Sequence, residues 1–310
     1  MARRPHDVIR YLRNSLSVHT LQAYASDLDR FKRSGGRIPA TAEQVARYLA
    51  HAAEELKPST LARQIAAISY AHEQQGLQSP TKSALVRRTL RGIRRTKGVA
   101  QKQATPITPE LVRRVVKPLR CLSEAQNRRD AALFLIAFAG GFRRSEIASL
   151  CFKDLSFTKQ GLLVRLRSSK TDQYRRGRDV AIPKAPRGQQ CPVRALRLWL
   201  TTVGAMSEDG PGPGSDTPVF CGIDKHGNLR GGLNSASVGW LLRKRLALHG
   251  LSPEGFTAHS LRAGLVTSAA KAGVPVWAIQ RQTGHRSEST VHRYIRGLSA
   301  FDCNAASALL

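Results

Sequence analysis

Long apolar segments are missing from this chain. Its longest apolar run, Ala131–Ala139, is far short of the ~20 residues that a helix needs to cross a bilayer. The opening stretch, MARRPHDVIRYLRN, is basic and has no apolar segment, so no signal peptide is expected. Cysteines occur at 121, 151, 191, 221 and 303, an odd count without a C-x-x-C pair. That argues against a disulfide framework or a zinc site and predicts free thiols in a reducing compartment. Neither H-E-x-x-H nor a D-E-D-D-like carboxylate set is present, so no metal and no cofactor is expected. The expected location is cytoplasmic, close to the nucleoid, with no membrane partner.

Acidic residues are also scarce: 21 Asp+Glu stand against 50 Lys+Arg, a formal net charge of +29. Such a surplus repels itself unless an anionic partner neutralises it. The surplus is not a basic tail. Residues 1–104 hold 19 basic and 7 acidic side chains, and residues 105–310 hold 31 and 14. Both halves are therefore expected to face the same polyanion. At 310 residues, 41% of them hydrophobic, the chain can form two folded domains of ~100–200 residues each.

The first hundred residues read as successive amphipathic helices. Leu21, Tyr24, Leu28 and Phe31 form one apolar stripe, closed by Gly35-Gly36. Thr41 and Gln44 have capping-box spacing and open a second helix expected to run through Leu56. Pro58-Ser59 opens a third, with Leu61, Ile65 and Ile68 on its apolar edge. The fourth is expected from about Ser83 to Arg95, with Leu85, Leu90 and Ile93 inward and Arg87, Arg88, Arg91, Arg94 and Arg95 outward. Short links between four such helices imply a small bundle. Its cationic edges suit phosphate and groove contact, with Arg63, Arg91 and Arg94 as candidates.

Residues 96–107 are polar and without apolar period, and 101–107 are assigned as a linker. Thr108-Pro109-Glu110 then supplies an N-cap, a proline at the first helical position and a first-turn acid. The second region, 108–310, mixes helices with a few strands. Ala131–Ala139 reads as a buried helix ended by Gly140-Gly141, and Arg143–Leu150 as a new helix. Residues 152–157, 162–166 and 178–182 are β-patterned, with SSKTDQYRRGR as a hairpin tip. Residues 204–217 read as a surface loop. Helices are expected at about 234–249, 259–272, 275–282 and 289–296, and a last short one over 300–310. The fold class is thus mainly α with a small β-sheet.

Three stretches carry chemistry. In Gly141-Phe142-Arg143-Arg144-Ser145-Glu146 a glycine break leads into a helix start, which presents backbone N–H groups and an arginine to an anion. His259 and Arg262 stand three residues apart, on one face of a helix. Gly284-His285 is followed nine residues later by Tyr294, which Arg286, Arg293, Arg296 and His292 surround in sequence. With no carboxylate cluster to hold metal ions, arginines must neutralise a phosphate. Their planar fork pairs bidentately with its oxygens and stays charged.

In this order the motifs resemble those of the tyrosine recombinase (phage integrase) family, of the simple Cre- or Xer-like kind. That pattern is G-x-R-x-S-E, a lysine on a β-hairpin, H-x-x-R, G-H and the tyrosine. Lys170 in Ser168-Ser169-Lys170-Thr171 matches the hairpin lysine, although Arg165, Arg167, Arg175 and Arg176 compete as the mobile cation. The resemblance implies an N-terminal core-binding bundle over 1–100 and a mixed α+β catalytic domain over 108–310. It also implies the chemistry of a DNA strand-transferase. Tyr294 attacks the scissile phosphate, leaving a 3′-phosphotyrosine and a free 5′-hydroxyl, and His259 helps remove the phenolic proton. Arg143 and Arg262 clamp the nonbridging oxygens, His285 adds a donor, and Lys170 protonates the leaving oxygen. Glu146 orients the cations rather than touching substrate. The implied partners are double-stranded DNA bearing a specific site and further copies of the chain, a dimer per site and a tetramer on two sites. Residues 300–310, with Phe301, Ala305, Leu309 and Leu310, would dock on a neighbour. Two alternatives stay open on the residues alone: a type IB topoisomerase, and a catalytically silent DNA-binding architectural protein.

Overall fold

A computed structural model describes residues 15–99, 103–167, 177–186, 190–204 and 215–295. The chain divides into two compact units, Met1–Lys102 and Gln103–Leu310. Residues 1–14, most of the 204–217 loop, the hairpin tip and the 300–310 helix expected from the sequence lie outside the described residues. The four described cysteines, 121, 151, 191 and 221, are free thiols. Among the described residues no helix is long and apolar enough to cross a membrane.

The first unit consists of α1 (Val18–Arg33), α2 (Ala42–Ala52), α3 (Pro58–Glu73) and α4 (Ala84–Lys97). Local sequence starts each of them. Ser17, Thr41 and Ser83 accept the N–H of the residue three positions on, and Pro58 occupies the first position of α3. Phe31, Val45, Leu49, Leu61, Ile68 and Val86 form the core between the helices. Helix α2 stops at Ala52 rather than Leu56. In α4 it is Val86 that is fully buried, while Leu85 is 44% exposed. Val86, Leu90 and Ile93 are spaced i, i+4, i+7, and Leu85 lies a full 100° step off that stripe.

The five arginines of α4, including Arg91 and Arg94, face solvent. Arg63 is half-exposed and has a partner within the unit. Its guanidinium donates two hydrogen bonds, of 2.7 and 3.1 Å, to the buried carboxylate of Asp27 on α1. This bidentate pair ties α3 to α1, and removing the arginine alone would strand a buried charge.

The second unit opens before its first helix. Gln103–Ile107, expected to belong to the linker, is built into the fold. The Thr105 N–H bonds to the Gly255 carbonyl at 3.0 Å, the Ile107 N–H bonds to the Ser260 carbonyl at 3.2 Å, and Ile107 is fully buried. A lone isoleucine in a polar run has no periodicity to betray it. Helices α5 (Pro109–Val115) and α6 (Glu124–Ala139) follow. Helix α6 starts a full two turns before the apolar run, at a Ser123–Gln126 capping box. Its apolar face packs on α8 (Pro192–Thr202), where Trp199 is buried and donates its indole N–H to the Val219 carbonyl at 2.8 Å.

Between them come α7 (Arg144–Ala148) and an antiparallel meander of β1 (Leu155–Phe157), β2 (Gly161–Leu166) and β3 (Arg178–Pro183). Helix α7 is shorter than the expected 143–150, and residues 152–154 form a 3₁₀ turn instead of strand. In β2 and β3, Leu162, Val164, Val180 and Ile182 alternate inward. A second hairpin, β4 (Cys221–Ile223) with β5 (Leu229–Gly232), was not foreseen from the sequence. Its strands are three and four residues long and glycine-rich, too short to show alternation. Helices α9 (Ser235–Leu248), α10 (His259–Lys271), α11 (Val276–Thr283) and α12 (Glu288–Ile295) complete the described unit. A small separate core of Val266, Ile279 and Val291 holds α12 on α10 and α11, with Tyr294 packed at its edge.

One glycine sets how α10 sits. A Cβ at Gly264 would run into the carbonyl oxygen of Ile107, so the 103–107 segment lies directly on the helix. Gly264→Ala is expected to lower stability by ~1–3 kcal/mol, the usual cost of overpacking a close contact. Denaturant melts of the two proteins check this; equal midpoints would show that the segment yields freely.

Candidate active site

The three chemistry-bearing stretches meet around one buried guanidinium. Arg262, on the first turn of α10, donates from one terminal nitrogen to two carbonyls, Gly141 at 2.6 Å and Thr283 at 2.7 Å. It thereby pins the turn that precedes Arg143 to the turn that precedes His285. Its other terminal nitrogen is buried and makes no hydrogen bond to the described residues. Burial, and then repulsion from Arg143, lowers its pKa to about 10, and the group stays charged at neutral pH.

Gly141 adopts a left-handed φ of +58°, which turns the chain from α6 into α7. Glu146 then reaches back from the third position of α7. Its buried carboxylate accepts the Arg143 backbone N–H at 2.9 Å and pairs with the Arg143 guanidinium at 2.5 Å. This is the acidic half of a capping box, and it fixes the direction of the Arg143 side chain.

A residue that the sequence reading passed over joins this group. Arg178, the first residue of β3, donates to the Gln282 carbonyl at 2.7 Å and stands 3.6 Å from the Glu146 carboxylate. Burial is the main reason its pKa falls, with Glu146 opposing. Its parity with Val180 and Ile182, both core-facing, was the available signal that it points inward. Gly284 makes room for it: a Cβ there would lie 2.6 Å from the Arg178 Nε, and its φ of +69° is left-handed. The glycine of the G-H pair is therefore required twice over.

Tyr294 is held against both histidines. The His259 Nε2 is hydrogen-bonded to the Tyr294 hydroxyl, and the ring centroids lie 5.6 Å apart for His259 and 5.5 Å for His285. Partial desolvation, then the charges of Arg262 and Arg143, lower the His259 pKa. The imidazole is thus neutral at physiological pH, and in the tautomer protonated at Nδ1 its Nε2 lone pair accepts the phenol O–H. His285 is held more strongly in the same sense. Burial first, then Arg262 and Arg143, bring its pKa down to about 3 from 6.5.

That shift has a consequence for acid stability. Below ~6.5 the unfolded chain takes up a proton that the folded site refuses until about 3. The contribution of His285 to stability is therefore present above pH 6.5 and is lost as the pH falls toward 3. His285→Asn is expected to lose less thermal stability than the parent chain between about pH 6.5 and 4. Melting curves over that range check it, and equal losses would assign the acid sensitivity to other groups.

Of the six positions singled out as catalytic, the structure gathers Arg143, His259, Arg262, His285 and Tyr294; Lys170 lies outside the described residues, as do the competing Arg175 and Arg176. In sequence Lys170 falls between Leu166 and Arg178, which are paired across β2 and β3. Of the other two competitors, Arg167 pairs with Asp154 at 2.7 Å and Arg165 with Asp179 at 3.1 Å.

Among the described residues the arrangement offers three guanidiniums for one carboxylate, a phenol and a neutral imidazole that can take its proton. That is equipment for an anionic substrate attacked by oxygen. The comparisons with known proteins agree. The sequence profile of the phage integrase family matches residues 107–299, and that of the phage integrase N-terminal SAM-like domain matches 9–74. The integrase/recombinase xerD homolog of Selenomonas ruminantium is 36% identical over 309 residues, covering 97% of this chain and 88% of the relative. The recombinase cre of Escherichia phage P1 is 25% identical, covering 85% and 78%. Among solved structures, the Tn1549 transposon integrase in complex with transposon right end DNA superposes with a TM-score of 0.64 at 17% identity, covering 98% of this chain and 97% of that one. The chain, with its helical N-terminal unit and mixed C-terminal unit, belongs to the phage integrase family of tyrosine recombinases.

Proposed function

We propose that this recombinase cleaves and rejoins duplex DNA at a specific site through a 3′-phosphotyrosine formed on Tyr294. The observation that carries the reading is the hydrogen bond between the Tyr294 hydroxyl and the His259 Nε2, set beside the guanidiniums of Arg143, Arg262 and Arg178. The attacking hydroxyl must shed its proton as it bonds to phosphorus, and His259 is placed to receive it. Arg143 and Arg262 would hold the nonbridging oxygens, with the unpaired nitrogen of Arg262 as the readiest donor. His285 would add a further donor. Lys170 would give the leaving 5′ oxygen its proton. Glu146 acts through Arg143 and Arg178, not on substrate.

Attack of the phenolate on phosphorus forms the tyrosyl ester and releases a 5′-hydroxyl. The same steps in reverse, with the hydroxyl of another strand, rejoin the DNA. The number of phosphoester bonds is conserved, so no ATP is consumed. The first unit, with the exposed arginines of α4, would grip the duplex beside the cleavage point. A dimer would occupy each site, four protomers would join two sites in a synapse, and residues 300–310 would dock on a neighbour.

The test is covalent trapping. Duplexes spanning the borders of the mobile or chromosomal element around the gene, nicked next to each candidate phosphate, are incubated with the protein and resolved in SDS. An adduct whose peptide maps to Tyr294, accompanied by a released DNA fragment with a new, kinase-labelled 5′-hydroxyl, is the expected result. An adduct mapping to another residue would overturn the assignment. Relaxation of supercoiled plasmid irrespective of sequence would replace site-specific exchange with a topoisomerase activity.

A further inference from the structure

Thr283 lies at the end of α11, two residues before His285, and is completely buried. Its hydroxyl touches two partners: the Ile279 carbonyl at 2.6 Å and the His285 Nδ1 at 2.7 Å. A carbonyl can only accept. The single hydroxyl proton is therefore committed to Ile279, and toward His285 the Thr283 oxygen can only accept. The Nδ1 of His285 must then be the donor and carry a proton. In the neutral ring the other nitrogen, Nε2, is left with a bare lone pair.

That tautomer is the wrong one for a phosphate. A lone pair repels a nonbridging oxygen, whereas the site around the ring is arranged for an anion. Among the described residues, the charged and titratable groups facing His285 are Arg262 and His259 from α10, Arg143 from the turn before α7, Arg178 from β3 and Tyr294 from α12. Burial, and then the guanidiniums, keep a second proton off the ring while the site holds no anion. A phosphate among them reverses the balance, because its charge offsets theirs at the ring.

We propose that Thr283 is a positioning residue that fixes His285 as the Nδ1–H tautomer, so that engagement of the scissile phosphate requires uptake of one proton at Nε2. The proton comes from solvent as the phosphate seats and returns to solvent when it leaves. His285 thus becomes an imidazolium, donating from Nδ1 to Thr283 and from Nε2 to the phosphate, only in the engaged state. The second half of this statement rests on the phosphotyrosine reading above; the first half, the tautomer, does not. The arrangement also divides the two histidines. His259 works as a neutral acceptor for the tyrosine proton, and His285 works as a cationic donor, so cleavage needs one ring without the extra proton and the other with it.

Two measurements on the full chain test the proposal. Long-range ¹H–¹⁵N spectra report which imidazole nitrogens are protonated, and the His285 signals are assigned by their loss in His285→Gln. In the parent protein without DNA at about pH 7.5, His285 is expected to show a protonated Nδ1 and a bare Nε2. Thr283→Val, which keeps the buried volume and the contact with Gly141, is expected to shift the ring toward Nε2–H. Thr283→Ser is expected to restore the Nδ1–H form. An Nε2–H ring in the parent, or a spectrum unmoved in Thr283→Val, overturns the tautomer assignment.

The second measurement is the rate of adduct formation on the nicked duplex between about pH 6.5 and 9. In the parent and in Thr283→Ser the rate is expected to fall about tenfold per pH unit on the alkaline side, as one required proton is lost. In Thr283→Val, whose neutral ring already donates from Nε2, the alkaline limb is expected to flatten. Parallel limbs in all three proteins overturn the proton uptake while leaving cleavage intact. Absence of an adduct in every protein and at every pH overturns proton uptake together with the cleavage reading, and the spectra then decide the tautomer by themselves.

Discussion

Tyr294→Phe protein is expected to form no covalent adduct with DNA and to keep its affinity for it. The substitution removes one oxygen and nothing else. The ring still packs at the edge of the Val266, Ile279 and Val291 cluster, so α12 has no reason to leave its place. What disappears is the nucleophile and its hydrogen bond to the His259 Nε2. Loss of a nucleophile leaves only the residual catalysis of the oxyanion-stabilising groups, which cannot make a protein–DNA bond; adduct formation should fall by about 10⁴-fold or more. Gel shifts at matched salt are the companion measurement, since phosphate contacts dominate affinity and the result depends on ionic strength. An adduct that survives the change would place the nucleophile elsewhere. Binding lost together with cleavage would mean that the tyrosine holds the fold.

Arg262→Ala is expected to produce the second largest loss. This guanidinium does two jobs with different nitrogens: one satisfies the Gly141 and Thr283 carbonyls, and the other is buried without a partner among the described residues. Removing a preorganised donor to a phosphoryl oxygen costs about 3–4 kcal/mol, or 10²–10³ in rate. Two buried carbonyls also lose their donor, which destabilises the protein by about 1–3 kcal/mol for each. Arg262→Lys separates these effects. A lysine has one nitrogen, which can serve the carbonyls or the phosphate but cannot reproduce the planar fork. Its expected signature is a melting temperature closer to the parent than that of Arg262→Ala, with adduct formation still reduced by about 10²-fold. A lysine variant cleaving at the parent rate would show that charge alone suffices.

How much of this was legible beforehand depended on the kind of signal. Residues that announce themselves by type and spacing were read: Arg143, His259, Arg262, His285 and Tyr294, which the chain folds into one place. Helix starts were read where a cap and a proline coincide, as at Thr108-Pro109, whose hydroxyl accepts the Leu111 N–H. What escaped was mostly set by tertiary partners. Arg178 is an arginine among arginines in sequence, and only its contact with Glu146 and the Gln282 carbonyl separates it from the solvated ones. Thr283 reads as a polar residue near a helix end. Its meaning depends on which of two neighbours takes its single proton. Arg63, a groove candidate by its charge, also closes on Asp27, an acid that the apolar stripe of α1 gives no reason to place inside. Leu85 was misplaced for a simpler reason: α4 has apolar residues at two phases, and burial of Val86 chose between them.

The backbone bonds of Thr105 and Ile107 to Gly255 and Ser260 bear on how this molecule can be dissected. Reading the chain by composition, one would cut at the proline-marked helix start and treat everything before Thr108 as dispensable tether. Such a cut removes the residue that fills the core above Gly264 and uncovers the helix bearing His259 and Arg262. A fragment of the second unit that keeps these contacts, and that of the Gln103 side chain with the Arg293 carbonyl, begins no later than Gln103. The five residues ahead of the helix belong, in folding terms, to the enzyme's chemistry and not to its connection.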